Sequence, residues 1–219
     1  VVQKERLKKL KNNIHVLTLT ATPIPRTLQL SLSGVKKMSI ISTPPIDRIA
    51  IRSFICNWDS IIIKQAISQE IARNGQCFVV CPKIRDIQKV YDRLIKLLPD
   101  LKILSAHGKM SAKKLDEVMT EFSDGNSDVL LSTNIIESGL DIPTANTLLI
   151  YRADMFGLSQ LYQMRGRVGR GRHRAYAYLT INQETIITEN ARKRLEVMKK
   201  LDNLGAGFSL ASYDMDIRG

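Results

Sequence analysis

The sequence predicts an α/β fold: a mostly parallel sheet with helices on both faces, plus a helical extension towards the C-terminal end. Three observations carry that expectation. Short apolar runs alternate with stretches whose apolar residues recur at helical spacing, the pattern of repeated strand–helix–strand units. One run, Cys77 to Cys81, is continuously apolar apart from its cysteines, as a strand covered on both faces must be. Turn-forming residues punctuate the series at Asn74-Gly75, Pro99 and Gly205.

Taken in order, residues 4 to 11 are basic and helical in pattern, and Ile14 to Thr20 alternates like a strand that ends in Thr20-Ala21-Thr22-Pro23. Thr27 to Leu32 predicts a short helix closed by Gly34. Met38 to Ser42 and Ile49 to Cys56 predict strands, separated by Thr43-Pro44-Pro45, a turn or extended linker. A border is expected near residues 43 to 48. Ile63, Ala66, Ile67 and Ile71 give a helical stripe stopped at Asn74-Gly75. After the strand at 77 to 81, Ile84, Ile87, Tyr91, Leu94 and Leu98 give a second stripe, ended by Pro99. Leu101 to Ser105 is a strand. Leu115, Val118, Met119 and Phe122 mark the next helix, with Ser111 as N-cap. Asp128 to Ser132 and Thr147 to Tyr151 are buried strands, Leu158 to Arg165 a helix, Arg174 to Thr180 a strand, and Ile187 to Leu204 a long helix with Gly205 at C′.

Thirty-three Lys and Arg against 21 Asp and Glu leave a net charge of +12, a balance that favours a polyanionic partner, nucleic acid above all. No apolar run is long enough to span a bilayer, and neither end shows a basic helix with a strong apolar face. Cys56, Cys77 and Cys81 are odd in number and lie in apolar strand-like contexts. They read as reduced core residues of a cytoplasmic protein, without a metal or disulfide framework. The start, Val1-Val2-Gln3-Lys4, reads as that of an excised piece.

In open α/β sheets ligands gather beyond the carboxyl ends of the strands. Four polar segments directly follow predicted strands and are expected to share that edge: Cys81-Pro82-Lys83, Ser105-Ala106-His107-Gly108-Lys109, Ser132-Thr133-Asn134 running on to Gly139-Leu140-Asp141, and Arg152-Ala153-Asp154. Ser132, Thr133 and nearby amides suit phosphate oxygens of a nucleic-acid backbone. Gly108 permits close approach and Lys109 adds charge. His107 is either part of that contact or a turn histidine with a satisfied ring. Asp141 is either a ribose or arginine partner or a turn aspartate.

One helix further on comes Gln163-Met164-Arg165-Gly166-Arg167-Val168-Gly169-Arg170, expected to converge on the same edge. Its glycines keep bulk away, and arginine presents a planar fork matched to phosphate. The run is a basic surface turn, a grip on nucleic-acid backbone, or a set of guanidinium groups stabilising a transferring γ-phosphoryl group. The third reading requires Arg167 and Arg170 to reach the carboxyl edge. A phosphate-cradling Gly-x-x-x-x-Gly-Lys-Ser/Thr loop is missing, because Gly108-Lys109 is followed by Met110. The adjacent acidic pair Asp116-Glu117 falls within a predicted helix and reads as a solvated face.

The run 163 to 170 resembles motif VI of superfamily 2 helicases and translocases. Ser132-Thr133-Asn134-Ile135-Ile136-Glu137-Ser138-Gly139-Leu140-Asp141-Ile142-Pro143 resembles motif V, and Thr20-Ala21-Thr22-Pro23 resembles motif III. Thr20 to Arg26, with Ile135-Ile136-Glu137, is similar to the branch shared by the bacterial transcription-repair coupling factors and RecG. Gly205 to Ala211, followed by Asp214 and Ile217-Arg218-Gly219, resembles that branch's translocation motif. Thr144-Ala145-Asn146-Thr147 and Asp154-Met155-Phe156-Gly157-Leu158 fit the coupling-factor family better than RecG.

The resemblance implies a second RecA-like lobe of a P-loop NTPase motor that moves on double-stranded DNA, displaces stalled RNA polymerase and recruits excision-repair proteins. It divides the chain into the end of a first lobe with linker (1–45), the second lobe (46–182) and a truncated translocation-motif segment (183–219). ATP with Mg²⁺ would be held mainly by the first lobe, so the isolated chain is expected not to hydrolyse ATP. Carried over residue by residue, Arg167 and Arg170 would face the γ-phosphate, with Gln163 coupling nucleotide to DNA and Gly139, Asp141 and Gly166 lining the nucleotide side. Ser132, Thr133, His107, Gly108, Lys109, Cys81 and Lys83 would contact DNA. Thr20, Thr22, Arg192, Arg194 and Arg218 would couple the lobes, and no metal ligand is expected. The rival readings are a RecG-type lobe acting on branched DNA and a passive nucleic-acid-binding module.

Overall fold

The computed structural model describes residues 17, 19, 20, 39, 41, 49–133, 142–171, 173–183, 185–200, 210 and 213. Expectations for the helices at 4–11 and 27–32 and for the 43–48 border lie outside them, and the strands expected at 14–20 and 38–42 do so for the most part. Among the described residues the element order is β1 (Arg52–Asn57), α1 (Ser60–Ala72), β2 (Gln76–Val80), α2 (Ile84–Leu97), β3 (Ile103–Ala106), α3 (Ala112–Ser123), β4 (Val129–Ser132) and β5 (Ala145–Ile150). A 3₁₀ turn (Ala153–Met155), α4 (Leu158–Arg165), β6 (Tyr176–Ile181) and α5 (Glu189–Lys200) follow.

The six strands form one sheet in the order β1-β6-β5-β2-β4-β3, and every pairing is parallel. β2 and β5 are buried along their whole length, which explains the apolar runs Cys77–Val80 and Leu148–Ile150 that follow the polar Gln76 and Thr147. Alternation sorts their side chains into two cores. Phe78, Leu130, Leu148, Ile150 and Leu179 face one layer with Phe122, Leu161 and Met198, while Cys77, Val79, Leu131 and Leu149 face the other with Ile63, Ile67 and Leu94. Helices α3, α4 and α5 therefore cover one face, and α1 and α2 the other.

The helix ends follow local chemistry. Asp59 caps α1 by accepting from the Ile61 and Ile62 amides at 2.8 and 3.1 Å. Asn74 then takes a left-handed conformation (φ 57°) and ends the helix. Ser111 Oγ accepts from the Lys114 amide at 3.3 Å, the cap expected for α3. Asp116 and Glu117 are exposed on that helix. The last helix is described over Glu189–Lys200, shorter than the periodicity predicts, and residues 201–209 lie outside the described set. Cys77 and Cys81 are core residues as expected, but Cys56 is only half-buried because β1 is an edge strand.

Candidate functional site

The described parts of the four segments expected at the carboxyl edge are there. The Cys81 amide donates to Ser132 O at 2.8 Å, the Thr133 amide to Ala106 O at 3.3 Å, and the Tyr151 amide to Val80 O at 2.8 Å. These bonds extend the sheet's ladder one residue past β2, β4 and β5 and fix the backbone from which the polar segments project. Beyond β3, the Met110 amide closes a turn onto His107 O at 3.0 Å, leaving Gly108 and Lys109 exposed. Lys83 is exposed at the N-cap of α2. Helices α2 and α3 begin at this edge, so the positive ends of their dipoles face it.

Two polar atoms here are buried without a hydrogen-bond partner among the described residues: His107 Nδ1 and Ser132 Oγ. Cys81 is fully buried, and desolvation pushes its thiol up to about 12. Any contact it makes with a partner runs through its backbone. Thr133 is half-buried, and 134–141, with Gly139 and Asp141, lie outside the described residues. The chain leaves the described set at Thr133 on the carboxyl edge and returns at Ile142, ahead of β5, on the amino edge.

The arginine run does not converge on the carboxyl edge. Helix α4 follows β5 and runs back along it, so its C-terminal end, and Gly166 to Arg170 after it, arrive at the amino ends of the strands. Gly169 (φ 75°) lies against Ile51 and Ala175, the residues just before β1 and β6, where an added Cβ would sit 3.1 Å from each side chain. A Cβ on Gly171 would sit 2.7 Å from Pro143 O, just before β5. The expectation erred by one helix: a strand-to-helix step in a parallel sheet reverses direction and changes the edge. The condition set for the γ-phosphoryl reading, arginines at the carboxyl edge, is therefore not met, and that reading needs Arg167 and Arg170 to face a neighbouring lobe from the amino edge instead.

The three arginines have different fates. Arg165 is buried, donates to Met198 O at 3.1 Å and stacks over Tyr162 with its guanidinium carbon 5.1 Å from the ring centroid, pinning α5 to α4. Arg167 is half-buried, and Arg170 is exposed with Nε donating to Gly166 O at 3.4 Å. Gln163 is half-buried in the last turn of α4, and Gly166 caps it. Of the expected coupling residues, Arg194 donates to Asp154 O at 3.0 Å, Arg192 and Thr20 are exposed, and Thr22 and Arg218 lie outside the described residues.

A polar cluster at the amino edge escaped the sequence reading. Glu70, 1% exposed, bonds Arg73 and Thr147, and Arg73 reaches Arg174 O at 2.8 Å. The signal was a carboxylate on the apolar stripe of α1, one turn after Ala66 and Ile67, with an arginine three residues on. Among the described residues no group of three or more His, Cys, Asp or Glu side chains is arranged to hold a metal ion. No described helix is long and apolar enough to cross a membrane.

The chain is 51% identical over its whole length to the transcription-repair-coupling factor of Rickettsia bellii, and 48% identical to those of Escherichia coli and Bacillus subtilis. It spans about a fifth of each: 20%, 19% and 19%. Among solved structures, RecG bound to a three-way DNA junction aligns over 94% of this chain and 28% of that one, with a TM-score of 0.74 and 33% identity. Saccharomyces cerevisiae Dbp5, bound to RNA and ADP BeF3, aligns over 100% of this chain and 59% of its own with a TM-score of 0.65. At 16% identity that likeness shows the fold alone. The sheet and its flanking helices are thus those of a RecA-like helicase lobe. Residues 60–172 match the helicase conserved C-terminal domain, and the chain belongs to that family.

Proposed function

We propose that this chain is the second motor lobe of an ATP-dependent double-stranded DNA translocase that displaces stalled RNA polymerase and recruits nucleotide excision repair in the cytoplasm. The observation that carries the reading is the separation of two edges. The carboxyl edge offers helix N-termini, the exposed Lys83 and Lys109 and the half-buried Thr133, which suit a phosphate backbone. The amino edge offers a glycine-rich loop with an exposed and a half-buried arginine, which suits the γ-phosphate end of a nucleotide held by the first lobe.

ATP with Mg²⁺ is the group this reading implies, and the donor set fits part of it. Arg167 and Arg170 would hold phosphoryl oxygens from one side, with Gln163 beside them. The described residues offer no carboxylate cluster for the metal, so the first lobe would hold Mg²⁺ and most of the nucleotide. Bound ATP supplies a phosphoryl group whose transfer builds up charge. This chain's arginines would stabilise that charge, and its carboxyl edge would carry DNA.

The decisive experiment is Arg170→Ala in the full-length protein. ATP turnover should fall by on the order of 10³ with duplex affinity mostly kept. A passive module predicts the reverse: weaker binding with a shallower salt slope and unchanged turnover per bound complex. A RecG-type lobe is the second reading, favoured by the structural match to RecG. A polymerase-displacement assay on the full-length protein separates the two.

A further inference from the structure

We propose that Arg73, oriented by Glu70, is a positioning residue for the arginine loop, fixing the backbone through which that loop rejoins the sheet. The inference rests on the reading of Arg167 and Arg170 as the nucleotide-facing groups.

Arg73 stands at the C-cap of α1, on the other face of the sheet from α4, and every side of its guanidinium is used. Nε and Nη2 donate to Glu70 Oε1 and Oε2 at 3.1 and 2.5 Å, Nη1 donates to Arg174 O at 2.8 Å, and the plane lies over Tyr176, 5.5 Å from the ring centroid. Arg174 is four residues after Arg170 and two before β6 begins. The carbonyl that Arg73 holds therefore fixes the loop one residue before Ala175, whose own carbonyl accepts from the Arg52 amide at 3.0 Å as the chain enters the strand. On its other side the loop is held by Gly169 against Ile51 and Ala175.

Glu70 is itself fixed. Its side chain is fully buried, Thr147 Oγ1 on β5 donates to Oε2, and the chain passes so close at Gly75 that a Cβ there would lie 1.8 Å from Oε1. The ion pair thus joins α1, β5 and the start of β6 at one point. A buried ion pair is a weak way to stabilise a fold, because apolar replacements of similar volume often do as well. A planar fork that must satisfy a carboxylate and a distant carbonyl at once is instead a means of setting geometry.

The test uses full-length protein with saturating duplex DNA. Arg73→Lys keeps a cation beside Glu70 but loses the fork that also reaches Arg174 O. Expected are a kcat for ATP lower by roughly 10- to 100-fold, a KM within a few-fold of wild type, and unchanged duplex affinity. Combined with Arg170→Ala, the loss should fall well short of multiplicative, because much of the Arg73 effect runs through Arg170. A wild-type kcat for Arg73→Lys, or a full multiplicative loss in the double variant, overturns the proposal. If Arg170→Ala alone leaves turnover intact, the underlying reading of the loop has failed instead. Should Arg73→Lys not fold, Thr147→Val carries the test: it keeps the ion pair but releases the carboxylate from β5. A several-fold drop in kcat supports the proposal, and a wild-type value overturns it.

Discussion

At the carboxyl edge the chain turns through Gly108, where an added methyl group would meet nothing within 4 Å, and two side-chain atoms, His107 Nδ1 and Ser132 Oγ, are left buried without partners among the described residues. At the amino edge Gly169 and Gly171 sit where a methyl group would press on Ile51, Ala175 and Pro143, and the Glu70–Arg73 pair is bonded on several sides. One edge leaves space around its turn; the other packs its glycines tightly and ties its loop through Glu70 and Arg73, although Ser127 Oγ and Asn146 Oδ1 there are also buried without partners among the described residues. A surface meant to slide over a polymer of phosphates needs open donors that can be re-made at each step. A group meant to meet one transferring phosphoryl needs a fixed geometry.

The contrast breaks most easily at the glycines. Gly169→Ala places a side chain in a left-handed conformation and against two neighbours, and should destabilise the lobe by about 2 kcal/mol. Gly108→Ala should stay within about 0.5 kcal/mol of wild type. Chemical denaturation of the two variants checks this, and equal losses would erase the distinction. Thr133→Ala should leave stability nearly unchanged while weakening duplex binding by about 1 kcal/mol, because this half-buried side chain stands just past β4 on the open edge. A calorimetric melt paired with a DNA titration reads both; a lower melting temperature with intact affinity would assign the hydroxyl to the fold. The smallest effect is expected from Lys109→Ala. It should reduce the salt slope of duplex binding by about one and leave DNA-free ATP turnover alone, measured by titrations at several salt concentrations.

Most of the architecture was legible because the strands are short and buried on both sides. Cys77 to Cys81 and Thr147 to Tyr151 can hardly be read as anything else, and Ser111 announced the helix it caps. The shared carboxyl edge followed from parallel order alone. What the sequence hid was long-range. The side of the sheet on which the arginine run emerges depends on the direction of α4 relative to β5, a fact about three dimensions that spacing does not carry. Glu70 was hidden for a related reason. A carboxylate at a core position of α1 looks like an error in the stripe until Thr147, 77 positions away, is seen to donate to it. The resemblance to superfamily 2 motors named Arg167 and Arg170, but it did not supply the groups behind them.

One contact has a mechanical corollary. Ile51 is the last residue before the first strand, and it is also the surface on which Gly169 rests. Chain arriving from the preceding segment is thus moored beside the very turn that bears the arginines, with no intervening layer of core. Strand and turn share a single cleat, since the Arg52 amide donates to Ala175 O at 3.0 Å beside the same contact.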